Sequence, residues 1–182
     1  MKNEFAAERL DVKAFAQAGA RLAGRDVLLR YPRLLSETQG AGADLPVDWA
    51  AQGESRPELG GPDQIWLHLQ AKAALPLICQ RCLGPVTVEL AVDRSFRFVA
   101  DEDAAASLDD EVEEDVLALS KSFNLPPLIE DELLMALPLV PRHDTCPVPV
   151  KLEAVDPAFE ATSAAKPSPF AVLAGLQGNK PK

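Results

Sequence analysis

The stretch IWLHLQAKAALPLICQRCLGPVTVELAVDRSFRF, residues 65–98, decides the fold. Ile65, Leu67, Leu69, Ala71, Ala73 and Leu75 alternate with Trp66, His68, Gln70 and Lys72. A period of two turns one side of a strand to a core and the other to water. The same period returns in Val86, Val88, Leu90, Val92, Phe96 and Phe98, with Thr87, Glu89, Asp93 and Arg97 opposite. Two such runs joined by a short turn predict a β-hairpin with CQRCLGP at its tip. Arg94 falls in the apolar register, which predicts a bulge or a strand end there.

Upstream, DVKAFAQAGARLAG spaces Val12, Phe15, Ala16 and Leu22 at roughly helical intervals, with Asp11 as a cap and Gly24 as a stop. RDVLLRYP then reads as a strand ended by Pro32, and SETQGAGADLP as a loop. Downstream of the hairpin, DEDAAASLDDEVEED has no Lys or Arg from Asp101 to Asp115 and reads as a solvated loop or as a docking surface for a basic partner. In NLPPLIEDELLMALP, Asn124 is placed to cap a helix, Pro126 and Pro127 suit its first turn, and Pro138 ends it. Leu128, Ile129, Leu133, Leu134 and Leu137 supply its apolar face. Beyond Pro147 the composition turns to Pro, Ala, Ser and Lys until SPFAVLAGL, where Ser168 is placed to cap a last short helix.

These readings predict an α+β fold: an antiparallel sheet with short flanking helices in a single domain, 1–150. A flexible tail, 151–182, carries a short helical motif at 168–177. The length of 182 residues with 47% hydrophobic content suits one such domain. No stretch approaches about 18 uninterrupted apolar residues, and MKNEFAAERLDVK lacks the apolar run of a secretory signal, so a cytoplasmic protein is expected. The formal net charge of −10 works against wrapping naked nucleic acid, because phosphate binding rests on clustered Lys and Arg. A basic protein partner fits that field better.

The three cysteines cannot all pair within one chain. Cys79 and Cys82 lie on a tight turn with Gly84 just beyond, where backbone N–H groups can approach both thiolates. His143 and Cys146 in RHDTC complete a candidate Cys3His set of the kind that holds structural zinc. Closing the intervening segment costs roughly 4 kcal/mol, whereas structural zinc in small peptides contributes about 10–16 kcal/mol at neutral pH. The metal therefore wins if it is bound. The competing reading is of small, semi-buried thiols with His143 exposed after Pro141. Thioredoxin-like redox chemistry ranks below both, since the pair does not open a helix.

Enzyme chemistry finds little footing. No Gly-rich phosphate loop, nucleophile elbow or HExxH stretch is present. His68 sits on the polar side of a strand, and Glu130, Asp131 and Glu132 occupy the early turns of a helix, where the macrodipole accounts for them.

Three stretches together, CQRCLGPV, EDELLMALPLVPRHDTC and PFAVLAGL, closely resemble the YceD family of large ribosomal RNA subunit accumulation proteins. The resemblance covers roughly residues 65 to 178, with Ser168-Pro169-Phe170 standing where the family commonly has Asn-Pro-Phe. It implies a bacterial ribosome-biogenesis factor that supports synthesis, processing or stability of 23S rRNA without catalysis. Placed beside the charge pattern, it suggests an acidic adaptor for a basic large-subunit ribosomal protein or processing factor. The candidate partner-binding residues are Asp109, Asp110, Glu111, Glu113, Glu114, Asp115, Glu130, Asp131 and Glu132, with Phe170 and Leu173 in the tail motif. The tail motif equally suits packing on its own domain. The alternative is direct rRNA binding near a zinc knuckle through Arg21, Arg25, Arg30, Arg33, Arg81, Arg94 and Arg97.

Overall fold

A computed structural model describes residues 5–109, 111–149 and 170. Its centre is the predicted hairpin, built from β3 (Gln64–Ile78) and β4 (Pro85–Val99) in unbroken antiparallel register from Ile65↔Phe98 to Ile78↔Pro85. Two further strands extend it on one side, β2 (Pro46–Arg56) and β1 (Arg21–Val27), both antiparallel. On the other side β5 (Asp115–Ala118) joins β4 in parallel, giving the order β1-β2-β3-β4-β5.

The helices are α1 (Val12–Gln17), α2 (Pro32–Glu37), α3 (Glu102–Asp109) and α4 (Leu125–Met135). Residues that alternate inward from the sheet, among them Leu67, Leu69 and Leu75, are fully buried together with Val12 and Phe15 of α1, Leu34 of α2, and Leu125, Ile129 and Leu133 of α4. The mixed α+β class with its mainly antiparallel sheet is as the periodicity requires. A Cβ on Gly53 in β2 would lie 2.7 Å from the Ala16 Cα and the Phe15 carbonyl, so its missing side chain lets the α1 backbone sit directly on the sheet. Met1–Cys146 forms one compact unit and Pro147–Lys182 a second. Among the described residues no helix is long and apolar enough to cross a membrane.

Several local expectations need correction. Asp11 does cap α1, accepting from the Ala14 N–H at 3.0 Å, but the helix stops at Gln17 and Gly19 takes the left-handed turn, φ 56°. Leu22 and Gly24 therefore belong to β1, which runs on into RDV. A 3-10 turn follows at Leu28–Arg30, and Pro32 starts α2 instead of ending a strand, since proline suits a first helical turn. Arg94 makes neither a bulge nor an end: it pairs in register with Leu69 and reaches sideways to Asp115 and Glu132. Only part of the acidic stretch is a loop: Asp101 caps α3 through the Ala104 N–H at 2.9 Å and Asp115 opens β5, while 111–114 lie outside helix and strand. Asn124 makes no side-chain cap bond, and α4 ends at Met135, short of Pro138. Of the tail motif only Phe170 is described, and it is exposed; Leu173, like Asp110, lies outside the described residues.

Candidate metal centre

The hairpin tip is a tight knuckle. The Cys79 N–H donates to the Gly84 carbonyl at 2.9 Å, the Leu83 N–H donates back to the Cys79 carbonyl at 2.8 Å, and Leu83 adopts φ 57°. This turn aims Cys79 and Cys82 at the same point. The segment after α4 is brought alongside by the Gln80 N–H, which donates to the Pro141 carbonyl at 2.8 Å. It delivers His143 and Cys146.

The four ligand atoms of Cys79, Cys82, His143 and Cys146 all lie within 4.8 Å of one another. Cys79 Sγ and Cys146 Sγ are 4.0 Å apart, and Cys82 Sγ is 3.4 Å from His143 Nδ1. A tetrahedral cation with metal–sulfur bonds of ~2.3 Å sets sulfur–sulfur edges of roughly 3.8 Å and slightly shorter sulfur–nitrogen edges. The donor set and its spacing thus suit a metal, with all four positions taken by protein. Three thiols and the His143 imidazole together fill a tetrahedron and leave no opening for substrate, which is the structural type of centre.

The surroundings favour a thiolate at Cys79. Burial raises the Cys79 thiol, but the backbone N–H groups of Cys82, His143 and Arg81 outweigh it and bring Cys79 down to about 5. Cys82 is raised: the Gly84 N–H lowers it, while burial and the neighbouring Cys79 and Cys146 push the other way and prevail. Arg81 Nε donates to Cys146 Sγ at 3.0 Å, and its Nη2 donates to the carbonyls of His143 at 2.7 Å and Asp144 at 3.1 Å. Arg81 is accordingly part of the clip and committed to it. The spacing of the cysteines marked the ligands, but nothing in the sequence marked Arg81 as their brace.

The other candidate residues separate into two groups. Glu130 and Glu132 are each only 6% exposed. Glu130 Oε1 accepts from the N–H groups of Arg33 at 2.7 Å and Leu34 at 3.2 Å, capping an α2 that has no capping side chain of its own. Its Oε2 takes the Arg33 guanidinium, which also holds Asp131 at 2.6 Å. Glu132 faces Arg94 at 3.8 Å. Glu130 and Glu132 therefore do not face outward: Glu130 caps α2 and holds Arg33, and Glu132 is buried beside Arg94. Asp109, Glu111, Glu113 and Glu114 are exposed, while half-exposed Asp115 pairs with Arg94.

The arginines do not assemble into one basic face. Arg30 is held by Asp26 and Glu8, Arg33 by Glu130 and Asp131, Arg25 by Asp48 at 3.5 Å, and Arg97 by Glu58 at 3.9 Å. Of the seven, Arg21 alone has no ion pair or side-chain hydrogen bond among the described residues. His68 lies on the open face of the sheet between Ser95 at 2.7 Å on Nδ1 and Glu54 at 2.6 Å on Nε2. Arg56 and His68 together draw the Glu54 carboxyl down to about 2.

Fold and site define a class: a small α+β scaffold whose central hairpin ends in a Cys3His clip. The chain belongs to the YceD family, whose model, described as "Large ribosomal RNA subunit accumulation protein YceD", matches residues 67–177. It is also 38% identical over 103 residues to the large ribosomal RNA subunit accumulation protein YceD of Haemophilus influenzae. That match takes in 56% of this chain and spans 59% of the relative's own length. No solved structure matches.

Proposed function

We propose that this protein is a non-catalytic factor of bacterial ribosome biogenesis that works in the cytoplasm and supports accumulation of 23S rRNA as an acidic adaptor. The observation that carries the proposal is the family match over residues 67–177, which spans both the clip and the acidic strip. Asp109, Glu111, Glu113 and Glu114 stay in solvent, in a chain of net charge −10, and their field attracts a cationic protein. The intended partner is a basic large-subunit ribosomal protein or processing factor. Direct rRNA binding is disfavoured by the carboxylates that already occupy most of the candidate arginines.

Zinc is the proposed occupant of Cys79, Cys82, His143 and Cys146, where it would tie the hairpin tip to the segment after α4. Asp115, at the end of the strip, pairs beside Phe96, 11 residues along β4 from the Pro85 end at the clip, roughly 35 Å. The metal would thus brace a scaffold and not touch the partner.

The test is genetic and biochemical. Cells lacking the protein should accumulate fewer 50S subunits, and an ordinary 50S profile would end the proposal. Purified protein should retain a basic ribosomal protein at low ionic strength and release it as salt screens the strip. Elemental analysis should find about one equivalent of zinc, absent from Cys79→Ser.

A further inference from the structure

The strand β1 closes one side of the sheet, and among the described residues its outer edge is unpaired. Gly53 N–H donates to the Ala20 carbonyl at 2.9 Å, and Leu28 N–H donates to the Leu45 carbonyl at 2.8 Å. In an antiparallel ladder, residues bonded to the partner strand alternate with residues whose N–H and C=O point away. These two bonds place the even-numbered residues of β1 toward β2. Pro46, which has no N–H to give, stands opposite odd-numbered Val27, as that phase requires. The backbone groups of Arg21, Ala23, Arg25 and Val27 therefore point off the sheet, and all four residues are exposed.

That edge is held rigid from behind. A Cβ on Gly24 would come within 2.5 Å of the Trp49 indole, so the ring lies directly against the β1 backbone. Trp49 Nε1 and Tyr31 Oη each donate to Asp26 Oδ2 at 2.8 Å, tying the strand to the core. A preformed edge gives up little entropy when a further strand adds to it.

The side chains select the strand. Arg21 and Arg25 flank small Ala23 on the open face, and Arg21 has no partner among the described residues. A hollow of ≈ 170 Å³ beside Arg21, lined by Ala50, Gln52, His68 and Gln70, has room for a side chain reaching over. A second copy of β1 centred on Gly24 would set Arg25 diagonal to the partner's arginines, which repels. An acidic strand meets the unpartnered Arg21 guanidinium instead, and at Arg25 it meets one whose 3.5 Å pair with Asp48 leaves both side chains more than half exposed.

We propose that the outer edge of β1 is a strand-addition site for an extended, acidic segment of another protein, its carboxylates on the face of Arg21 and Arg25. The site is independent of the acidic strip and of the proposed role in ribosome assembly, so it can be tested on the purified full chain alone.

The probes are two labelled peptides, one alternating glutamate with valine and one alternating lysine with valine. Fluorescence anisotropy should show the glutamate peptide binding roughly tenfold more tightly, the scale of two or three cross-strand charge pairs reversed. Amide exchange should slow at Arg21, Ala23, Arg25 and Val27 when it binds. Ala23→Pro removes an outward N–H at an edge that tolerates proline and should abolish binding. R21E/R25E should shift the preference to the lysine peptide without touching the backbone. Equal affinity for the two peptides, exchange protection elsewhere in the chain, or unchanged binding by R21E/R25E would each overturn the site. A dimer in sedimentation equilibrium that Ala23→Pro dissolves would assign the edge to self-association and overturn it too.

Discussion

Two acidic runs in this chain have opposite fates. Asp109 to Asp115 and Glu130 to Glu132 look alike as strings of carboxylates, yet the first run is largely in water while Glu130 and Glu132 are buried. The difference comes from the neighbours. Glu130 lies under the first turn of α2, whose free N–H groups and Arg33 need an acceptor, and Glu132 lies beside Arg94 in the apolar row of β4. Among the described residues the strip's ion pair is that of Asp115 with Arg94. Fixed donors replace water at Glu130, whereas Glu132, with only Arg94 at 3.8 Å, meets burial by holding its proton more tightly.

Three variants sharpen this comparison. Glu130→Ala has the largest expected effect: it leaves two amides and the Arg33 guanidinium without their acceptor, costing about 2–3 kcal/mol in chemical denaturation. A loss within the error of the measurement would show that the cap does not matter.

Glu132→Gln should act in the opposite direction. Burial raises the Glu132 carboxyl above its ordinary value near 4.5, in spite of Arg94, so the folded state holds this proton more tightly than the unfolded chain does. Its contribution to stability is present at pH below that ordinary value and is lost as pH rises through the raised one. The glutamine variant should therefore be about 1 kcal/mol more stable than wild type at neutral pH. That advantage should fade in thermal melts below the ordinary carboxylate range, and an advantage independent of pH would refute burial as the cause.

Neutralising the strip with Glu113→Gln and Glu114→Gln should move stability by no more than about 0.5 kcal/mol, as at other exposed sites. The same change should weaken retention of the basic partner, more at low salt than at high. A large stability loss here would erase the contrast between the two runs.

How legible the molecule was in its sequence depended on the range of the interaction. The hairpin was plain because strand period, length and turn are all local, and the clip ligands were plain because cysteine and histidine are scarce. VDWAAQGESR has the same alternation, with Val47, Trp49 and Ala51 buried, and that signal could have located β2. Arg94 misled because its reason for standing in an apolar row lies on β5 and α4. Pro32 misled because proline ends a strand and starts a helix equally well.

By itself, then, the sequence determined the fold class, the central hairpin and the four metal-ligand candidates, since each rests on neighbours along the chain or on rare residue types. Only the tertiary structure decided which carboxylates are buried, which arginines are already spent, and which sheet edge stays open. Those outcomes depend on pairs such as Arg33 with Glu130, 97 residues apart, and no local pattern encodes a donor that distant.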